Sequence, residues 1–309
     1  MSISKYDKII SVGYTVPAGR KRAAERMAGM ALDRMTRITL NDGHTIPPLG
    51  LGVFQIEDAT VCERAVAAAL DCGYRHIDTA AIYGNEEAVG RAISRSGIPR
   101  EELFVTTKCW VDDFGREATR KAFDASRKKL GLDVIDLYLL HWPVDETMMG
   151  AWEALADLRA EGAVRSIGVS NFTVRRFEEF FFRHTDVVPA VNQVELHPFN
   201  SRPDVREYCR GKGIAVESYS PLARAKGLDD PALAAIAAEC GRTPAQVVIR
   251  WHLQHGLVVI PKSQHPERIR ENAEVFDFAL TPGQMSRIDA LNEGRFVIAW
   301  RPGGEDRWY

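Results

Sequence analysis

Four residues with acid–base side chains, Asp78, Tyr83, Lys108 and His141, lie at or just beyond the ends of short apolar runs in this chain. Asp78 and Tyr83 come in DTAAIYGNE, at the end of the run from Tyr74 to Thr79; Lys108 ends LFVTTK, and His141 ends VIDLYLLH. A carboxylate at the end of a buried strand loses its hydration without compensation unless a cation pairs with it. A lysine from a neighbouring strand is the natural partner. The set suggests proton transfer to or from a carbonyl oxygen, with tyrosine as the acid. A phenol ordinarily titrates at about 10, and a lysine ammonium beside Tyr83 is expected to bring it down towards neutrality by favouring phenolate. Asp78 would keep Lys108 charged by pairing with it, and His141 would orient the carbonyl and share in the proton relay. Taken singly, each has a plain structural use: Asp78 as a turn cap, Lys108 with its stem along the core, His141 as a core imidazole. Three of them from three strand ends, with Tyr83 close by, point to a site.

Eight apolar runs are positioned to present such a site: LGLGVF near 51, YRHIDTA near 77, LFVTTK near 105, VIDLYLL near 138, SIGVSN near 168, PAVNQVE near 192, IAVESYS near 217 and LVVIPKS near 259. Between them lie segments of helical period, among them ATVCERAVAAALDCG, REATRKAFDASRKKLG and TPAQVVIRWHLQHG, several ending in the glycine that helix C-termini favour. Ahead of them, Thr36 to Pro47 alternates apolar and polar around Asn41-Asp42-Gly43, a hairpin signature. The alternation is unbroken by any linker, so the chain reads as α/β, a single (β/α)8 TIM barrel from about 36 to 309 with an N-terminal β-hairpin. Extra helices are expected at 230–239 and 283–291. In such a barrel the chemistry sits at the C-terminal ends of the strands, where Asp78, Lys108 and His141 fall. A doubly wound fold is disfavoured, because no G-x-G-x-x-G follows any strand: Gly50 and Gly52 lack the third glycine, as do Gly211 and Gly213.

A net charge of −2 and a pI near 6.5 provide no basic field for nucleic acid, and no apolar run is long enough to span a bilayer. A small-molecule partner is expected, with no nucleic acid and no membrane. The five cysteines are odd in number and show no CxxC pair, which fits a reducing cytoplasm. His252 and His255 are three apart on a helical segment and have no third ligand in view, so no metal site is expected. Cys109 should pack outward from its strand as a small apolar group.

From about residue 36 to its end the chain resembles the aldo-keto reductases, most closely the bacterial branch that includes 2,5-diketo-gluconate reductases. The resemblance rests on ITLNDG, GYRHIDTAAIYGNE, TTKCW, DLYLLHWP, IGVSNF, VNQVELHP, SYSPLA and IPKSQHPERIREN, in order and correctly spaced. It implies a catalytic tetrad of Asp78, Tyr83, Lys108 and His141, and hydride transfer from nicotinamide C4 to a carbonyl carbon while Tyr83 protonates the oxygen. It also implies that Ser170, Asn171 and Gln193 hold the nicotinamide carboxamide and that the ring stacks on Tyr219. After the eighth strand, where barrels often bind phosphate against a helix N-terminus, Lys262, Ser263 and Arg268 would grip a 2′-phosphate, favouring NADP over NAD. Glu271 and Asn272 correspond to the family's adenine contacts. Phe54, Trp110 and Trp142 would wall the substrate pocket, and Trp300 and Trp308 lie in the tail that closes it in relatives.

The expected activity is therefore NADPH-dependent reduction of aldehydes or ketones, with keto sugar acids or 2-oxoaldehydes as candidate substrates, by a monomer. Arg224 and Lys226 would favour anionic sugar acids. The loop LARAKGLDD that carries them is short, so no long cofactor clamp is expected. Two alternatives remain: a Schiff-base lyase using Lys108, or a non-catalytic NADP-binding subunit. The first 35 residues, basic and poorly patterned, read as a disordered extension or a misplaced start, with Met30 or Met35 as the natural first residue. Intact mass of the protein from its native host tests this expectation, and a mass counting from Met1 would overturn it.

Overall fold

A computed structural model describes residues 32–298. Strands β1 (Ile38–Thr39) and β2 (Thr45–Ile46) form the expected antiparallel hairpin around Asn41-Asp42-Gly43, with Ile38 opposite Ile46. Gly43 turns the chain at a φ of 91°, in the left-handed region that glycine adopts without a Cβ clash.

Eight parallel strands follow in chain order, each hydrogen-bonded to the next: β3 (Leu51–Gly52), β4 (His76–Asp78), β5 (Phe104–Cys109), β6 (Ile135–Leu140), β7 (Val164–Ser170), β8 (Val191–Glu195), β9 (Ala215–Tyr219) and β10 (Val258–Val259). The ring closes between its first and last members. Leu49 bridges Val259, Gly52 bridges Lys262, and the Gly50 and Val259 amides donate to the Val259 and Pro48 carbonyls at 2.9 and 2.8 Å. The helices that connect the strands are α1 (Ala59–Asp71), α2 (Glu86–Arg95), α3 (Arg116–Leu130), α4 (Asp145–Ala160), α5 (Val174–Glu179) and α6 (Pro203–Lys212). Then come α7 (Pro231–Cys240), α8 (Pro244–Gln254), α9 (Pro266–Ala273) and α10 (Pro282–Asp289). The chain is thus a (β/α)8 barrel, and α7 and α10 are the two extra helices expected from sequence.

Local signals set the helix ends. Basic residues 127 to 129 fill the last turn of α3, where they oppose the negative end of the helix dipole, and Gly131 stops the helix at a φ of 66°. Thr243 and Gln246 cap the start of α8 reciprocally, with Pro244 in the first turn.

Period-two alternation divides each strand between two environments. Outward residues such as Val105, Cys109, Tyr138, Leu140 and Val169 pack against the helices, as expected for Cys109. Leu32, upstream of the expected boundary at about 36, is buried in this outer layer. Inward, Phe104, Leu137, Leu139, Val191 and Val258 pack with Leu40 and Ile46 of the hairpin, which plugs the N-terminal end of the barrel. Higher up, the inward set becomes polar, with His76, Thr106, Gln193 and Glu217 all buried. Space there is tight: a Cβ on Gly168 would lie 2.6 Å from the Val191 carbonyl, and one on Gly50 would lie 2.6 Å from His76 Nδ1.

His252 and His255 have structural partners. His252 is buried, 2.8 Å from the Val248 carbonyl and 3.1 Å from Ser218 Oγ, while His255 Nε2 lies 2.8 Å from Asp289. No helix among the described residues is long and apolar enough to cross a membrane.

Candidate active site

Lys108 points up from β5 into the barrel mouth and is fully buried. Its Nζ donates to Asp78 Oδ1 at 2.6 Å and to the Thr79 carbonyl at 2.9 Å, and lies 3.5 Å from the Tyr83 hydroxyl. The last distance is at the limit of a hydrogen bond. Tyr83 sits on a single 3-10 turn, Ala81–Tyr83, which Gly84 ends at a φ of 68°. Asn85 fixes that loop from beneath: it accepts from Thr79 Oγ1 at 2.7 Å and donates to the Val53 and Ile56 carbonyls. His141 follows β6 and meets the Tyr83 and Trp110 rings edge-on, at centroid distances of 5.7 and 5.1 Å. The four residues singled out from sequence therefore converge.

Burial alone would lower the Lys108 ammonium, but Asp78, Tyr83 and Glu217 raise it above its ordinary value, so it stays charged. Burial raises the Asp78 carboxyl above its ordinary value, and the Lys108 ammonium 2.6 Å away, with the Gln193 amide, offsets part of that rise. Tyr83 corrects one expectation. Lys108 lowers the phenol as anticipated, yet burial outweighs it and Asp78 adds to the rise, so Tyr83 lies above its ordinary value. It is a neutral hydroxyl at pH 7, with its proton available to an acceptor in the cavity. His141 is held well below its usual value, first by burial and then by Lys108, and is a neutral imidazole.

Above the tetrad opens a cavity of about 860 Å³. Ser170, Asn171, Gln193, Tyr219, Lys262, Ser263, Arg268, Glu271 and Asn272, assigned from sequence to the cofactor, all line it, as do Phe54, Trp110 and Trp142, while Lys108 is sealed below. Its lining is mixed. Phe54, Ile82, Trp110, Trp142 and Ile298 contribute apolar surface; Phe54 is 45% exposed and packs on Tyr83 at 4.9 Å. Arg224, Lys262 and Arg268 bring three cations to the wall, and none of them is in an ion pair among the described residues. Burial and the nearby Arg224 charge both lower Lys262. Lys226, by contrast, does not line the cavity.

Lining residues also form a connected hydrogen-bond set. Tyr219 OH donates to Asn171 Oδ1 at 2.8 Å, Asn171 Nδ2 to the His141 carbonyl and Ser170 Oγ, and Ser170 Oγ to the Gln193 carbonyl at 2.9 Å. Asn171 adopts a φ of 68°, which asparagine tolerates better than most residues. Gln193 directs both protons of its amide nitrogen inward, to Asp78 Oδ2 at 2.8 Å and Glu217 Oε2 at 3.0 Å. Ser263 Oγ accepts from the His265 amide ahead of α9, and Glu271 accepts from Thr243 Oγ1 at 2.6 Å.

Several residues here were not singled out by the sequence. Gln55 accepts from Arg224 Nη2 at 2.7 Å, linking the loop after β3 to the loop after β9 across the cavity. Both residues hold left-handed backbone, at φ 58° and 54°, which no composition signal announces. Buried Glu195 accepts from the Val297 and Ile298 amides, which holds Ile298 over the cavity. An acid inside VNQVELHP was the available signal. Trp300 and Trp308 lie outside the described residues.

A closed eight-stranded barrel with an Asp–Tyr–Lys–His cluster at its mouth defines a carbonyl-handling class of enzyme, and comparison with known proteins specifies it. The sequence pattern described as "Aldo/keto reductase family" matches residues 48–293, and the chain belongs to that family of oxidoreductases. An aldo-keto reductase of Mycolicibacterium smegmatis is 52% identical over 261 residues, which cover 84% of this chain and 94% of that protein. A glyoxal reductase of Bacillus subtilis is 48% identical over 84% of this chain and 94% of its own length. Among solved structures, a Bombyx mori aldo-keto reductase in complex with NADP superposes with a TM-score of 0.81 at 37% identity, covering 86% of this chain and 96% of that one.

Asp78→Ala would leave Lys108 buried without its counter-charge. Loss of about 3–5 kcal/mol of stability is expected in urea unfolding, most of it recovered when Lys108→Met is added. A single variant as stable as the parent would show that the pair does not hold the mouth of the barrel together.

Proposed function

We propose that this protein reduces aldehydes and ketones to alcohols with NADPH, taking uncharged carbonyl compounds, 2-oxoaldehydes among them, in preference to keto sugar acids. The observation that carries the reading is the neutral Tyr83 hydroxyl facing the cavity, backed by the buried Lys108–Asp78 pair. When bound, the nicotinamide supplies the hydride. The protein's part is to hold the substrate oxygen near Tyr83, deliver the phenolic proton as negative charge develops there, and stabilise the resulting phenolate with Lys108. His141, as a neutral imidazole, can donate one N–H to the same oxygen and so fix the carbonyl's direction.

Three cations without acidic partners among the described residues suit the phosphates of a dinucleotide, with Lys262, Ser263 and Arg268 assigned to the 2′-phosphate and Glu271 and Asn272 to adenine. Ser170, Asn171 and Gln193 would take the carboxamide, and Tyr219 the ring face. The NADP-bound Bombyx mori relative supports the cofactor, and the Bacillus subtilis glyoxal reductase supports the substrate class. Phe54, Trp110 and Trp142 favour uncharged substrates, with the wall cations Lys262 and Arg268 assigned to the cofactor's phosphate. A monomer in the reducing cytosol suits the five free cysteines.

A Schiff-base lyase would need Lys108 as a free amine, whereas its ammonium is paired and raised above its ordinary value. A non-catalytic binding subunit would have no use for a buried ion pair behind a phenol.

The test is fluorescence titration with NADPH and NADH, followed by turnover of methylglyoxal. No binding of either nucleotide would overturn the reading. Tyr83→Phe deletes only the acid, so turnover should fall about a hundredfold or more with NADPH affinity retained; equal loss of binding would refute its role. Arg268→Ala should weaken NADPH about tenfold or more with little change in NADH, and parallel weakening of both would place the 2′-phosphate elsewhere.

A further inference from the structure

Glu217 is the buried acid that the mechanism above does not use. It sits on β9, opposite Gln193 of β8 and Val258 of β10, and is fully buried. Its Oε2 accepts from Gln193 Nε2 at 3.0 Å; its Oε1 lies 3.5 Å from His76 Nε2 and has no hydrogen bond. The polar and charged groups around it are few. Asp78 and His76 come from β4, Thr106 and Lys108 from β5, Gln193 from β8, and Tyr83 from the turn after β4.

Their charges leave no room for a second anion. Lys108 and Asp78 cancel, and burial holds His76 down at about 3, so it is neutral. An ionised Glu217 would add a buried carboxylate with a single firm donor, which is costly in low dielectric. Burial, and next the Asp78 charge, push Glu217 up to about 8, so it carries a proton at pH 7.

The geometry around Gln193 gives that proton-bearing acid a task. Two N–H groups of one amide reach two carboxyl groups, one on Asp78 and one on Glu217. With its nitrogen so engaged, the amide presents its oxygen to the cavity that Gln193 lines. Reversing it would set that oxygen against the Asp78 carboxylate.

We propose that Glu217 is a positioning residue: as a neutral acid it holds the Gln193 amide with its oxygen towards the cavity, and when it ionises it weakens the Tyr83 acid. The second effect acts through charge. Glu217 is among the groups that raise both Tyr83 and Lys108, so a negative charge there tightens the phenol's hold on the proton it must release. Reduction should then decline on the alkaline side as Glu217 loses its proton. This rests on the reductase reading, but the state of the Glu217 carboxyl can be read without turnover.

The experiment compares the full-length parent, Glu217→Gln and Glu217→Leu. Infrared difference spectra of parent against Glu217→Gln, without nucleotide, should show a protonated-carboxyl C=O band at neutral pH that disappears as the pH passes about 8. No such band would overturn the proposal whatever the enzyme reduces. In kcat profiles with NADPH and methylglyoxal, the parent should lose activity on the alkaline side and Glu217→Gln, which mimics the protonated acid, should not. Glu217→Leu leaves one Gln193 N–H without an acceptor, and should lower turnover and NADPH affinity about tenfold, with Glu217→Gln restoring both. An identical alkaline limb in parent and Glu217→Gln would overturn the proposal, as would a folded Glu217→Leu with parental affinity and turnover. Infrared evidence for the protonated acid alongside an enzyme that ignores NADPH would sink the reductase reading alone.

Discussion

The ion pair between Lys108 and Asp78 is the constraint around which the mouth of this barrel is organised. An ammonium with no solvent exposure is tolerable only with an anion and further acceptors in contact, and Lys108 has both in Asp78 and the Thr79 carbonyl. Meeting that demand fixes adjacent strands in one register, with Asp78 level with Thr106 and Lys108 reaching across to it. The second carboxylate oxygen is engaged by Gln193 from the far side of the ring, which draws β8 into the same network. A charge pair thus ties strands that are not neighbours in the sheet. It also sets the electrical background for Tyr83 and His141, both of which feel Lys108 directly.

That background separates the roles of the two ring systems at the mouth. Lys108 opposes protonation of His141 and favours deprotonation of Tyr83, while burial opposes charge on either. The result is two neutral groups, each able to donate a hydrogen bond, facing a cavity lined by both rings and cations. The same wall offers both cations, at Arg224, Lys262 and Arg268, and aromatic surface, at Phe54, Trp110 and Trp142.

Much of this was legible in the sequence because strand ends announce themselves. All eight apolar runs became strands, the Asn41-Asp42-Gly43 turn became the hairpin, and the four acid–base residues met, because period, turn chemistry and the costs of buried charge act locally. What escaped the sequence depends on packing from several strands at once. The direction of the Tyr83 shift is a contest between burial and one cation, and burial cannot be weighed before the cavity is known. Glu217 looks like any acid in IAVESYS until the ring closes and turns it inward. Gln55 and Arg224 meet only because two loops far apart in sequence adopt left-handed backbone, for which neither residue type gives a cue.

The barrel is sealed by its two shortest strands. β3 and β10 are each two residues long, and the joint between them brings together the first and last strands of the ring. Pairings so distant along the chain carry the largest loop-closure cost. Gly52 and Lys262, which make one of the bridges across that joint, both line the cavity. A molecule lying over them touches both ends of the ring at once, so it binds the closed ring and not a chain still open at the joint. By mass action such a molecule adds about 2.7 kcal/mol of stability at a hundred times its dissociation constant. The join between the two shortest strands of the ring is therefore the one that occupancy of the cavity reinforces.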